Sequence, residues 1–252
     1  MNIGIRVYAE LNDFLRPGQR YTVSDRPVRP HQTVKDIVEA AGIPHTEVDL
    51  ILVNGQPVGF DHHPQAGDRI TVYPVFETLD IARITRVRPR PLREPRFVAD
   101  VNLGGLAKMM RLMGLDVDCR WDAGDAELAE VSAAEHRILL TRDRGLLKRR
   151  NVTHGVYVRS DRPLDQVVEV ILRLDLIERL APFTRCLRCG GAVDAVTEAS
   201  VDDRLEPLTR RYYDTFRQCR DCERVYWSGS HQVGLDATVA AIRVRLHSAT
   251  TR

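Results

Sequence analysis

Two sets of side chains in this sequence have the types and the spacing to do chemistry. One is acidic. Asp100 closes the run RFVAD and Asp143 follows RILLTR, so two short apolar segments each deliver an aspartate where a strand pattern gives way to a helix pattern. Asp125 opens DAELAEVSAAEH, and Asp161 stands just past GVYVRS. In an open parallel α/β sheet the carboxyl ends of the strands line the ligand crevice, so acids placed there face substrate and not core. Carboxylates ~5 Å apart repel by roughly 3 kcal/mol per pair at an effective dielectric of about 20, and such a group must share protons or hold a cation. Oxygen-only ligands select a hard ion, magnesium or manganese. Either aspartate alone is equally an ordinary strand-end or N-cap residue. Recurrence at successive strand-to-helix junctions is what favours a site.

The other set is sulfur. Cys186 and Cys189 bound CLRC, and Cys219 and Cys222 bound CRDC, so each short turn offers two thiolates at the spacing a tetrahedral ion requires. The gap between the turns leaves room for a hairpin such as AVDAVTEA and its return. Four sulfur ligands leave no open position, so a zinc ion there holds the fold and performs no chemistry; an iron-sulfur centre is the alternative. The fifth cysteine, Cys119, sits in the strand DVDCR and reads as a small buried apolar residue.

The elements that must position these groups fall into separate stretches. Over residues 1–80, IGIRVY and YTVS read as strands, and QTVKDIVEAAG reads as a helix with Thr33 as N-cap and Gly42 as its stop. DLILVNGQPVGF is a hairpin around Asn54-Gly55, and GDRITVYPVF is a last strand. Residues 81–96 are an Arg/Pro-rich linker, expected to be extended, which serves either as a phosphate-facing arm or as a solvated hinge. Residues 97–182 alternate strand and helix: FVADV, then a helix whose apolar face is Leu103, Leu106, Ala107, Met110 and Met113, then DVDCR, DAELAEVSAAEH, RILLT, RGLLKRR, GVYVRS and the long helix PLDQVVEVILRLDLIERL. That alternation implies a mainly parallel sheet with helices on both faces. Residues 183–252 hold the four-cysteine module and an amphipathic terminal helix, LDATVAAIRVRLHS.

At 252 residues, 43% hydrophobic and 29% charged, the chain can bury one large core or two to three smaller ones. A net charge of +2 excludes a polycation, so any argument for an anionic partner has to be local. Neither a signal-peptide pattern nor a membrane span is present, and five cysteines in such a chain read as reduced; the expected location is the cytoplasm.

NGQPV followed by GDRITVYP resembles the ubiquitin-like sulfur-carrier proteins, which implies a β-grasp fold for residues 1–80. Carrier chemistry does not follow with it. Gly104-Gly105 lies inside the chain and cannot be the free, activated tail that a carrier needs. FVADVNLGGLAKMMRLMGLD, DAEL and RILLTRDRGLL resemble the Mut-seven C-terminal RNase family, a branch of the PIN-like nucleases that pairs its nuclease domain with a zinc-binding module and often with a β-grasp domain in front. The resemblance implies an acidic site on Asp100, Asp125 and Asp143, with Asp161 as a fourth acid. Lys108 and Met109 depart from the family's usual arginine and tryptophan. Trp227 to His231 resemble the family's Trp-x-Gly-Ser-His signature, a turn that either holds a phosphate through Ser230 and His231 or packs on the knuckle.

The expected protein is therefore α/β, with a β-grasp domain, a PIN-like nuclease domain and a zinc ribbon. Its expected reaction is hydrolysis of RNA phosphodiesters with magnesium or manganese at the acids and structural zinc at the cysteines. Arg142, Arg144 and Lys148, beside Asp143 in sequence, are candidate contacts to the RNA backbone. The β-grasp domain is a candidate surface for a protein partner. The alternative is a non-catalytic RNA-binding or partner-docking adaptor on the same fold.

Overall fold

The computed structural model describes residues 2–76, 81–87 and 94–250. The first element, β1 (Asn2–Val7), alternates apolar and polar residues and buries Ile3, Ile5 and Val7. It pairs antiparallel with β2 (Val23–Pro27). Helix α1 (Val34–Ala40) begins as its sequence dictates: the Thr33 hydroxyl accepts from the Asp36 amide while the Asp36 carboxylate accepts from the Thr33 amide, a reciprocal capping box. Gly42, at φ 97°, stops it. Strands β3 (Val48–Val53) and β4 (Gln56–Pro57) turn at Asn54 and Gly55, whose φ values of 51° and 82° are those of the tightest two-residue hairpin loop. Strand β5 (Arg69–Pro74) lies between β1 and β3, parallel to the first and antiparallel to the second. The sheet order β2-β1-β5-β3-β4, with α1 packed on it through Val34, Ile37 and Val38, is the expected β-grasp.

The linker differs from expectation over its described part. Residues 81–87 form a turn, with Ile81 buried and the Ile81 carbonyl accepting from the amides of Ile84 and Thr85. The Thr85 hydroxyl donates to the Asp49 carbonyl, and Val87 packs on the β-grasp core. Burial of Ile81 and packing of Val87 on the β-grasp core favour the turn over an extended backbone. Arg88, Arg90 and Arg93 lie outside the described residues.

Further along come β6 (Phe97–Ala99), α2 (Gly104–Leu112), β7 (Val117–Asp118), α3 (Asp125–Ala134), β8 (Ile138–Thr141), α4 (Arg144–Leu147), β9 (Gly155–Tyr157) and α5 (Pro163–Arg173). Strands β6 and β7 pair in parallel, as do β8 and β9. Leu103, Leu106, Ala107, Met110 and Met113 are all buried, so the helical spacing of that stretch marks a core face and not a ligand site. Helix α5 ends earlier than its apolar periodicity suggests, because Asp175 takes a left-handed φ of 48°; a separate 3-10 turn follows at Ile177–Arg179.

The C-terminal elements are β10 (Val193–Val196), α6 (Pro207–Tyr212), β11 (Phe216–Cys219), β12 (Val225–Trp227) and α7 (Ser230–Thr250). The three strands form an antiparallel sheet in which Val193 faces Cys219 and Phe216 faces Trp227. Helix α7 buries Val239, Ile242 and Leu246, and Arg245 pairs with Asp165 of α5. Among the described residues no helix is long and apolar enough to cross a membrane. By its contacts the chain forms two compact units, residues 1–95 with 124–157, and residues 96–123 with 158–252.

Candidate functional site

The cysteines meet. Their four Sγ atoms lie within 4.8 Å of one another, with Cys186 to Cys222 at 3.6 Å and Cys189 to Cys219 at 3.5 Å. Tetrahedral zinc at ~2.3 Å from each sulfur requires sulfur separations of about 3.8 Å, close to those of the two short pairs, so the four donors suit such an ion. Each knuckle closes the same way. The Gly190 amide donates back to the Cys186 carbonyl and the Glu223 amide to the Cys219 carbonyl, with Gly190 and Glu223 at φ 86° and 57°. Gly190 has a second reason to be glycine, since a Cβ there would stand 2.7 Å from the Val117 carbonyl oxygen.

Thiols this close cannot all ionise without a cation. Burial acts to raise the Cys186 thiol, but hydrogen bonds from the Tyr226 hydroxyl and nearby backbone outweigh it and bring it down to about 6. Burial pushes Cys189 up to about 12 and raises Cys222 as well. A bound divalent ion would reverse those two shifts, because coordination stabilises every thiolate. The cluster is braced from α2: the buried Arg111 guanidinium donates to the carbonyls of Val117, Leu187 and Arg188.

The aspartates stand where their strands end. Asp100, nearly buried, follows β6 and caps the 3-10 turn Val101–Leu103, its carboxylate accepting from the Asn102 amide at 3.1 Å and the Asn102 side chain at 3.2 Å. Asp143 follows β8 and caps α4; its Oδ1 accepts from the Gly145 amide at 2.6 Å and from the Leu146 amide at 3.3 Å. The Asp143 amide in turn donates to the Thr141 hydroxyl at 2.9 Å. Asp125 is the exposed first residue of α3, and Asp161 is exposed in the loop before α5. Asp125 and Asp143 belong to the first compact unit, Asp100 and Asp161 to the second. Among the described residues the cysteines are the group of three or more metal-ligating side chains whose donor atoms crowd together.

Around Asp143 the first unit shows contacts that sequence spacing did not reveal. Arg144 lies with its guanidinium 5.0 Å from the Phe14 ring and 5.3 Å from the Tyr157 ring. The Lys148 ammonium donates to the Glu39 carbonyl at 2.7 Å. His45, buried, places Nδ1 2.7 Å from a Glu39 carboxylate oxygen and Nε2 2.8 Å from the Val152 carbonyl, and buried Glu47 accepts from the Tyr157 amide at 2.6 Å. Two of the cations expected at RNA thus also hold the β-grasp domain against α4 and β9. Arg142 is exposed. Trp227 ends β12, whereas Ser230 and His231 open α7, so the signature spans a strand end, a turn and a helix start.

The chain thus combines a ubiquitin-like β-grasp, strand-helix elements with acids at strand ends and a four-cysteine ribbon, and its nuclease-like class is given by the family match. Residues 95–239 match the model of the Mut7-C RNAse domain and residues 1–80 that of the Mut7-C ubiquitin domain; the chain belongs to the Mut7-C RNase domain family. Among solved structures it is similar to SAMP1 from Haloferax volcanii, at 20% identity over 30% of this chain and 97% of that one, with a TM-score of 0.25. It is likewise similar to H. volcanii small archaeal modifier protein 1, at 20% identity over 29% and 95%, with a TM-score of 0.24. No curated protein matches the chain.

Proposed function

We propose that the chain is a metal-dependent ribonuclease that hydrolyses RNA phosphodiester bonds on a PIN-like domain, with Asp100, Asp125 and Asp143 as its acids and Asp161 as a fourth. Membership of an RNase-domain family supports the reaction class. The observation that carries the assignment is at Asp143. Its Oδ1 takes both amides of the following turn, so the carboxylate is oriented by backbone, while its Oδ2 makes no hydrogen bond among the described residues. An N-cap needs only one oxygen; the second remains for a ligand.

Carboxylate oxygens suit magnesium or manganese, and such an ion, when bound, supplies an activated water and neutralises charge at the scissile phosphate. The chain's own residues orient it. The Gly145 and Leu146 amides hold Asp143, and the Asn102 amide and side chain hold Asp100. Arg142, Ser230 and His231 are assigned to the RNA strand, and the ubiquitin-like domain to a protein partner. The clustered thiols need a reducing compartment, which supports a cytoplasmic location.

The test is cleavage of end-labelled single-stranded RNA by the native chain with and without added magnesium or manganese. Metal-dependent cleavage is expected. Binding without cleavage under either ion would leave the adaptor reading.

A further inference from the structure

The second compact unit contains a concavity of about 380 Å³ whose wall includes Lys108 of α2, Trp121 in the turn after β7, Arg188 of the first cysteine knuckle and Arg224 just past the second. No aspartate or glutamate lines it. In a chain whose net charge is only +2, that is a local excess of positive potential. We propose that this groove is a binding track for single-stranded RNA, with a base stacked on Trp121 and phosphates held by Lys108, Arg188 and Arg224. The inference rests on the ribonuclease reading and specifies where its substrate is held.

Three observations favour RNA over an acidic protein segment. Trp121 is 73% exposed, a large apolar area left in water beside cations, which is what a stacking platform looks like before its base arrives. Its ring edge leans over the start of α2, where a Cβ on Gly104 would stand 2.9 Å from the indole, so the glycine makes room for the ring at that place. The cations also divide by role. Buried Arg111 is consumed by three backbone carbonyls and shapes the floor, whereas Lys108 and Arg188 are exposed and pair with no carboxylate among the described residues. Arg224 lies 5.9 Å from the Tyr226 ring, a guanidinium held against an aromatic face with its charge still available. An acidic peptide would use the cations but has no use for an exposed indole. Arg188 lies inside the first cysteine turn, and Arg224 lies two residues past Cys222 with its carbonyl accepting from the Cys219 amide, so the four-cysteine cluster fixes one wall of the groove.

The experiment is fluorescence anisotropy of a labelled 12-nucleotide oligouridylate with the full-length chain, over a salt series and without added magnesium or manganese. Trp121→Ala should weaken binding by roughly five- to 150-fold, and Trp121→Phe should recover much of the loss. Changing Lys108, Arg188 and Arg224 together to alanine should reduce the log-log salt slope by about two units, at unchanged zinc content and circular dichroism. In a Trp227→Phe background the remaining indole should be quenched on addition of RNA. Native-like affinity and slope in these variants, from a chain that binds and cleaves RNA, would overturn the groove and leave the ribonuclease reading standing. A native chain that neither binds nor cleaves RNA would overturn both. Polyglutamate displacing the oligouridylate at equal charge concentration, without quenching, would assign the groove to an acidic protein segment instead.

Discussion

The guanidinium of Arg144 lies 5.0 Å from the ring centroid of Phe14, so a residue adjacent to Asp143 is held by a side chain from the ubiquitin-like domain. That domain is therefore part of the support of α4, not an appendage on a hinge. A cation over an aromatic face contributes about 0.5–1 kcal/mol when exposed and ~2 when desolvated. Phe14 is also buried in the β-grasp core and packs edge-on against Tyr157, so Phe14→Leu should cost at least that much in stability, and hydrogen exchange should quicken at Leu146–Lys148 and Gly155–Tyr157. Unchanged exchange there would show that the two parts are held by other contacts.

A second tie between the same parts is sensitive to pH. Burial pushes the His45 imidazole below its ordinary value and Lys35 acts in the same direction, against the Val152 carbonyl and Glu39. A ring that is harder to protonate when folded favours the folded state at high pH: its contribution is full above the unfolded value of about 6.5 and is lost as pH falls below it. The urea midpoint should thus drop more steeply between pH 7 and pH 5 for the native chain than for His45→Gln. Parallel curves would remove His45 from the explanation.

Removing the ion proposed at the four cysteines should act first on the ribbon. Four thiolates around one ion supply on the order of 10–16 kcal/mol of apparent binding energy, as much as the whole stability of a domain. Cys219→Ser, or chelation of the native chain, should unprotect residues 185–231 in hydrogen exchange and leave α3, β8 and α4 protected. A metal-free protein with a fully protected ribbon would show that the cysteines do not need an ion.

Local signals carried the sequence reading a long way. Thr33 and Asp36 announce α1, Asn54-Gly55 announces its hairpin, and the two Cys-x-x-Cys turns announce a cluster whose sulfurs do meet, because in each case the information lies within a few residues. The strand-end positions of Asp100 and Asp143 were legible for the same reason. What was not legible is non-local. In the sequence Arg144 and Lys148 are candidate contacts to the RNA backbone, and only the fold reveals Phe14 and the Glu39 carbonyl beside them. The early stop of α5 depends on one left-handed residue, Asp175, inside an unbroken apolar period. Trp121 carries no periodic signal at all; its meaning comes from Arg188 and Arg224, which lie 67 and 103 positions further along the chain.

The most direct measurement is RNA hydrolysis by Asp143→Asn. Asparagine caps a helix as well as aspartate does, so α4 should form and the thermal midpoint should stay within a few degrees of native. RNA binding should be unchanged or tighter, because a negative charge facing phosphate has been removed. Metal-dependent cleavage should fall to background. Undiminished cleavage by a folded, homogeneous Asp143→Asn protein would contradict the assignment of this acid to catalysis.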